Sequence, residues 1–282
     1  MLSEMVALLA LFASGCTEER RGDRTPIEGA ASGRKSGEPL RADPQEAPGD
    51  LESLLSVKRA RIAESHRFLR GRTALLVVDM QRGFLDPGAA LEVPAARSIV
   101  PAVRSLVESA RASGVPVIFT QFVYAPEVPS LRGEPFGPEH LPAAPGAPTG
   151  FGRPSGNCLV GRDGPDSPEL IPELRPLPGE LVVRGHTYDK FQGTCLDQAL
   201  RSRDVRYLVI TGILTEVCVN ATLMGAASRE YRVTVASDAV AALRPHLQSA
   251  CLEIWERKFA RVIKAAEAAA ELRALMEGRP PR

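Results

Sequence analysis

The chain has no Cys-x-x-Cys pair, no glycine loop of Walker or dinucleotide-binding spacing, and few aromatic residues. The first absence leaves neither a zinc knuckle nor a thioredoxin-type redox motif among its five cysteines. Those cysteines are Cys16, Cys158, Cys195, Cys218 and Cys251, odd in number and widely spaced. The second absence removes the common phosphate-cradling motifs. Aromatic residues make up 5% of the sequence, too few to build stacking platforms for nucleic-acid bases. Charge of one sign is not in excess either. Lys and Arg number 35 against 34 for Asp and Glu, a formal net charge of +1. Electrostatic capture of nucleic acid or of an anionic membrane surface is therefore not expected.

What is present is enough apolar material for a core. Hydrophobic residues form 44% of the 282, which suits one sizeable α/β domain with extensions. A chain of this size does not need disulfides to fold, so most of its thiols are expected to be buried and inert.

The N-terminal stretch differs from the rest. Met5–Phe12 is apolar and is followed by Ala13-Ser14-Gly15-Cys16. This resembles a bacterial lipoprotein signal, in which the Cys becomes the lipidated first residue of the mature chain. Met1–Glu4 carries no Lys or Arg, whereas a secretory n-region is normally positive. The apolar run is too short to cross a bilayer. Residues 1–16 are therefore expected to be an export signal with a lipid anchor at Cys16, the alternative being a cytoplasmic protein with an unused leader. Residues 17–50 are charged and rich in Gly, Pro and Ser, with no hydrophobic period, and read as a flexible tether. Residues 51–282 are expected to form the folded domain, entered by a helix over Leu51–Leu69 built from good helix formers.

From Thr73 the sequence alternates between strand and helix patterns. Thr73–Asp79 is a continuous apolar run ending in an acid, as expected of a parallel strand covered on both faces. Val103, Leu106, Val107 and Ala110 give helical spacing within Val100–Ser113, which Gly114 stops. Val115–Phe122 reads as a second strand. The rhythm breaks over the Pro- and Gly-rich insertion 124–179, a length that suits either a lid or a surface loop. It resumes with strands over Leu181–Arg184, Tyr207–Thr211, Arg232–Ala236 and Phe259–Ile263. Helices are expected over Thr194–Arg201, capped by Thr194, and over Glu216–Arg229, Pro245–Lys258 and Ala265–Met276. Such alternation predicts a single doubly wound, mostly parallel sheet with helices on both faces. Ligands in such sheets sit at the carboxyl ends of the strands.

Two residues stand at that rim. Asp79 closes the first strand. Cys218 follows the strand Tyr207–Thr211 and its Gly212-Ile213-Leu214-Thr215 turn. A Cys in the first turn of a helix meets unpaired N–H groups and the positive end of the helix dipole, which favour a thiolate. Its own N–H, with one from the turn, can hold an oxyanion. Taken alone, an acid after a strand and a Cys on a helix are both common features of α/β cores.

Their surroundings add to this. Val77-Val78-Asp79-Met80-Gln81-Arg82-Gly83-Phe84 resembles the opening motif of the isochorismatase-like (cysteine hydrolase) superfamily. Phe191-Gln192-Gly193-Thr194-Cys195-Leu196-Asp197, Thr211–Val219 and Ser237-Asp238-Ala239 are similar to its later blocks, in order. The resemblance covers about Arg72 to Ala270. It implies a Rossmann-like fold and a Cys–Asp–Lys triad. Asp79 would accept the proton of Cys218. The sulfur would attack a carbonyl carbon to give a thioester, which water would hydrolyse. The resemblance also implies a cis peptide at Ile213–Leu214, aiming the Leu214 N–H into the oxyanion hole. A homo-oligomer is expected on the same ground.

The third member of the triad is not where the resemblance places it. That position holds Gly185, flanked by Arg184 and His186, and the nearby Lys is Lys190. Lys190, Arg184 or His186 could supply the cation, which would stabilise both Asp79 and a thiolate. The Asp-x-His metal motif of nicotinamidases is missing after the second strand, where Thr120–Tyr124 stands, and His140 lies deep in the insertion. No metal and no cofactor are therefore expected. True isochorismatases lack the nucleophilic Cys. What remains resembles carbamoyl and ureido amidohydrolases acting on a small-molecule amide or ureide. Two alternatives stay open. One is a non-catalytic relative that binds a small molecule or a partner. The other is thiol redox chemistry between Cys218 and Cys195, which requires their sulfurs within disulfide reach.

Overall fold

The computed structural model describes residues 51–89, 91–123, 158, 160–161 and 163–276. The expected signal with Cys16, the tether 17–50 and most of the insertion lie outside these residues. Six strands form the sheet: β1 (Thr73–Val78), β2 (Val117–Phe122), β3 (Leu181–Gly185), β4 (Tyr207–Ile213), β5 (Arg232–Ala241) and β6 (Ala260–Ile263). Their order is β3-β2-β1-β4-β5-β6 and every pairing is parallel. The helices are α1 (Leu51–Ser65), α2 (Arg82–Leu85), α3 (Ala96–Ala112), α4 (Leu196–Ser202), α5 (Asn220–Ser228), α6 (Pro245–Lys258) and α7 (Ala265–Ala274).

The continuous apolar run of β1 serves two cores at once. Leu75 and Val77 pack into a cluster with α3 and α7, through residues such as Val103, Leu106 and Leu272. Ala74, Leu76 and Val78 point the other way, into a cluster with Leu200 of α4, Leu223 of α5 and Trp255 of α6. Each fully buried Leu or Val contributes roughly 1.5–3 kcal/mol, which is why both faces of the sheet carry helices.

Strand order positions the site. The chain steps outward from β1 to β2 to β3, then returns to place β4 on the other side of β1. The crevice at that reversal opens between the carboxyl ends of β1 and β4, where α/β sheets bind ligands. Gly212 makes the approach of the two strands possible. It pairs with Val78, has a φ of 112°, and a Cβ there would lie 2.1 Å from the Val78 carbonyl oxygen.

Several boundaries differ from the sequence expectation. Strand β2 starts at Val117 instead of Val115, because Pro116 has no N–H to give the ladder; its carbonyl accepts from Leu75 N–H at 2.9 Å. Strand β5 continues to Ala241, past a register shift, and Asp238 on it accepts the Ala265 N–H at 2.7 Å to cap α7. Helix α3 begins at Ala96 and runs through Pro101. Helix α4 begins two residues late, at Leu196, whose N–H donates to Thr194 Oγ1 at 3.2 Å, so Thr194 still satisfies one free amide. The single helix expected over Glu216–Arg229 is a π-helical turn, Thr215–Val219, leading into α5. The last part of the insertion is not a bare surface loop. It carries 3-10 turns at Gly164–Asp166 and Pro172–Leu174, buries Ile171 and Leu174, and bridges Leu170 to Gln81.

Candidate active site

Asp79 follows directly on β1 with a φ of 49°, in the left-handed region that Asp tolerates better than most residues. One hydroxyl on β2 fixes it. Thr120 Oγ1 accepts the Asp79 N–H at 3.1 Å and donates to Asp79 Oδ1 at 2.6 Å. Gln81 locks the same segment in place. Its amide donates to the carbonyls of Phe122 at 2.9 Å and Pro168 at 2.8 Å, while its oxygen accepts the Phe122 N–H at 2.7 Å. Sequence reading noted Thr120 only for what it is not, a metal ligand, and gave Gln81 no role. A hydroxyl partner on a neighbouring strand leaves no trace in periodicity.

The cation beside Asp79 belongs to Lys190. Its Nζ lies 2.7 Å from Asp79 Oδ2, and both side chains are 1% exposed. Arg184 is exposed and His186 is half-buried. Lys190 reaches inward from the loop after β3 because that loop is pinned at several points. Its N–H donates to Thr222 Oγ1 at 3.1 Å, and the Thr222 hydroxyl donates to the Tyr188 carbonyl at 3.2 Å. Asp189 Oδ1 accepts the Phe191 N–H at 2.9 Å. The Asp189 carboxylate seats against α5 at Gly225, where a Cβ would come within 2.6 Å of it. Lys190 Nζ also donates to the Thr187 carbonyl at 3.1 Å. Burial opposes its charge, but the Asp79 carboxylate outweighs this and holds the ammonium above its ordinary range.

Cys218 is buried in the π-helical turn after β4. The Leu214 carbonyl accepts both the Val217 N–H at 3.1 Å and the Val219 N–H at 3.0 Å, which widens the turn. The Ile213–Leu214 peptide bond is cis. Helix α5 is anchored just beyond by Trp255 Nε1, which donates to Asn220 Oδ1 at 2.9 Å. Burial pushes the Cys218 thiol far above the usual thiol range; Lys190 and a backbone hydrogen bond at Leu214 pull it down, while the Asp79 carboxylate, as neighbouring charge and hydrogen-bond acceptor, pushes it up. Burial thus opposes the thiolate that a helix start favours, and Asp79 stands ready to take the proton. Desolvation is the largest influence on the sulfur and favours the thiol form beside the Asp79 carboxylate.

Sulfur, carboxylate and ammonium thus meet in one buried chain at the switch-point crevice. Next to it, Phe84, Leu91, Phe122, Tyr188 and Val217 line a small apolar pocket against Cys218 and the Ile213–Leu214 turn. The arrangement can move a proton from sulfur to carboxylate while the ammonium balances the charge. Cys195 is free and exposed at the start of α4, whereas Cys218 is free and buried, so no disulfide joins them. Among the described residues no three His, Cys, Asp or Glu side chains gather to hold a metal, and His140 lies outside those residues.

The chain resembles several known proteins. The family model described as Isochorismatase domain matches residues 73–267. The chain is 35% identical over 182 residues to the ureidoacrylate amidohydrolase RutB of Pseudomonas savastanoi pv. phaseolicola, covering 62% of this chain and 73% of that protein. It is 34% identical over 205 residues to a ureidoacrylate amidohydrolase RutB of Methylorubrum extorquens, covering 70% and 82%. Among solved structures, a cysteine hydrolase from Pseudomonas syringae pv. phaseolicola superposes with a TM-score of 0.61 at 28% identity, over 74% of this chain and 96% of the other. An N-carbamoylsarcosine amidase from Thermoplasma acidophilum gives 0.53 at 29% identity, over 69% and 96%.

Proposed function

The chain belongs to the isochorismatase family, and from that premise we propose that it is a cysteine hydrolase cleaving a C–N amide or ureide bond of a small molecule. The observation that carries the reading is the buried Asp79–Lys190 pair, 2.7 Å apart, whose charges act on the buried Cys218 sulfur. Cys218 Sγ attacks the carbonyl carbon as its proton passes to the Asp79 carboxylate. The tetrahedral oxyanion is met by backbone N–H groups of the turn, that of Leu214 among them. Collapse expels the amine, which takes the proton from Asp79 and leaves a thioester. Water then gives its proton to Asp79, attacks the thioester, and the proton returns to the departing sulfur. Lys190 keeps one positive charge beside the carboxylate throughout, so no step builds an uncompensated charge in the interior.

The raised thiol suits this mechanism, because the proton leaves only as attack proceeds. The same burial would also be found in a relative that only binds. An ammonia-release screen over small amides, carbamoyl compounds and ureides separates the two. Turnover that disappears in Cys218→Ala supports the hydrolase. Absence of turnover across the panel, with specific binding retained, supports the binder.

Two features outside the described residues are part of the proposal on sequence grounds alone. Export with lipidation at Cys16 predicts incorporation of labelled palmitate that Cys16→Ser removes. Self-association, expected by resemblance, predicts a solution mass that is a multiple of the chain mass by light scattering.

A further inference from the structure

Among the described residues, neither Asp79 nor Lys190 lines the pocket that lies against Cys218. The Lys190 ammonium has three donors. It stands 2.7 Å from Asp79 and 3.1 Å from the Thr187 carbonyl, and it lies 5.1 Å from the centroid of the Phe122 ring, within cation–π range. At 1% exposure it is sealed behind that ring. The Asp79 carboxylate, 1% exposed, accepts from Thr120 at Oδ1 and pairs with Lys190 at Oδ2. The Gln81 amide is satisfied at both ends by Phe122 and Pro168. What faces the pocket instead is Phe84, Leu91, Phe122, Tyr188 and Val217. Phe122 and Tyr188 form a wall, with ring centroids 5.9 Å apart and planes inclined by 5°.

A carboxylate carried against this wall would lose its hydration and meet no cationic side chain among the described lining residues, which is far more costly than burying a methyl group of similar size. We propose that the part of the substrate held beside the scissile carbonyl is uncharged and apolar, and that Phe122 and Tyr188 determine this specificity. The relatives named as ureidoacrylate amidohydrolases take a substrate that, by its name, carries a carboxylate. The pocket of this chain points to a neutral amide or ureide instead. The inference rests on Cys218 being the nucleophile and goes on to the class of group placed next to it.

Butyramide and succinamate make the test. They share chain length and primary amide, and they differ in ending as a methyl or as a carboxylate. Two readouts are taken on the full-length protein: ammonia release, and protection of Cys218 from iodoacetamide. The expected result is a kcat/KM for butyramide at least about tenfold above that for succinamate, since a charge left unpaired in an apolar site costs well over the ~1.4 kcal/mol that a tenfold ratio represents. Butyramide is likewise expected to protect at lower concentration. Tyr188→Arg places a guanidinium at a position that is 36% exposed and so tolerates the change; it is expected to narrow or reverse the preference. Equal or better protection by succinamate in the unaltered protein overturns the proposal. Failure of the hydrolase reading shows separately, as no ammonia from any amide or ureide while butyramide still protects better.

Discussion

Lys190 Nζ and Asp79 Oδ2 stand 2.7 Å apart in a part of the protein where each side chain is 1% exposed. Neither charge can be removed without stranding the other. The pair is therefore at once part of the proposed chemistry and part of the fold.

Lys190→Met and Asp79→Asn should each destabilise the protein by about 3–5 kcal/mol, the usual cost of leaving one member of a buried pair uncompensated. Each should also abolish turnover. The double variant should recover most of the stability and none of the activity. Urea midpoints and ammonia release on the four proteins check this. A double variant whose two losses simply add would mean that the side chains do not depend on each other.

The seat of Lys190 can be disturbed without touching its charge. Gly225→Ala puts a Cβ within 2.6 Å of the Asp189 carboxylate, which must move and take the loop with it. Thr222→Val removes the hydroxyl that joins Lys190 N–H and the Tyr188 carbonyl. Both should lower kcat on the order of 10²-fold, as small displacements of a catalytic group do, with less effect on KM. Thr222→Ser should restore activity. An unchanged kcat in both variants would release Lys190 from the proposed role.

Much of this fold was legible in the sequence because its strands are short apolar runs and its helices keep a clear period. That logic puts Asp79 and Cys218 at the rim of the sheet, and the motifs around them single them out. The rest was hidden for physical reasons. The source of the cation stayed open among Lys190, Arg184 and His186, since it depends on how the loop after β3 turns. That is decided by Thr222 and Gly225, on a helix further along the chain. The π-helical turn Thr215–Val219 lies inside what the apolar pattern predicts as one helix, because a single widened turn leaves the pattern readable.

Gly212→Ala tests the strand approach on which the crevice depends. The new Cβ would meet the Val78 carbonyl oxygen at 2.1 Å, at a φ of 112°. A backbone atom cannot swing aside as a side chain can, so the cost should be about 3 kcal/mol or more. Thermal unfolding measures it. A loss below about 1 kcal/mol would show that β1 and β4 can separate cheaply.

The buried thiols predict a pH effect on stability. Burial raises Cys218 and Cys158 above the ordinary thiol range in the folded chain. Between the ordinary value of about 8.5 and the raised value, the unfolded chain loses thiol protons that the folded chain keeps. Their contribution is thus fully present below about pH 8.5 and is lost as pH rises. Urea unfolding from about pH 7 to about pH 10 should show falling stability, with a shallower fall in Cys218→Ala. An identical slope in the two proteins would contradict the burial argument.

The most direct test of the central claim is intact-mass spectrometry of the protein quenched during turnover of an amide found in the ammonia screen. The account predicts an acyl adduct on the peptide carrying Cys218, formed in the unaltered protein, depleted as substrate runs out, and missing in Cys218→Ser. Full turnover by Cys218→Ser, or steady turnover with the acyl adduct on another residue, would contradict it.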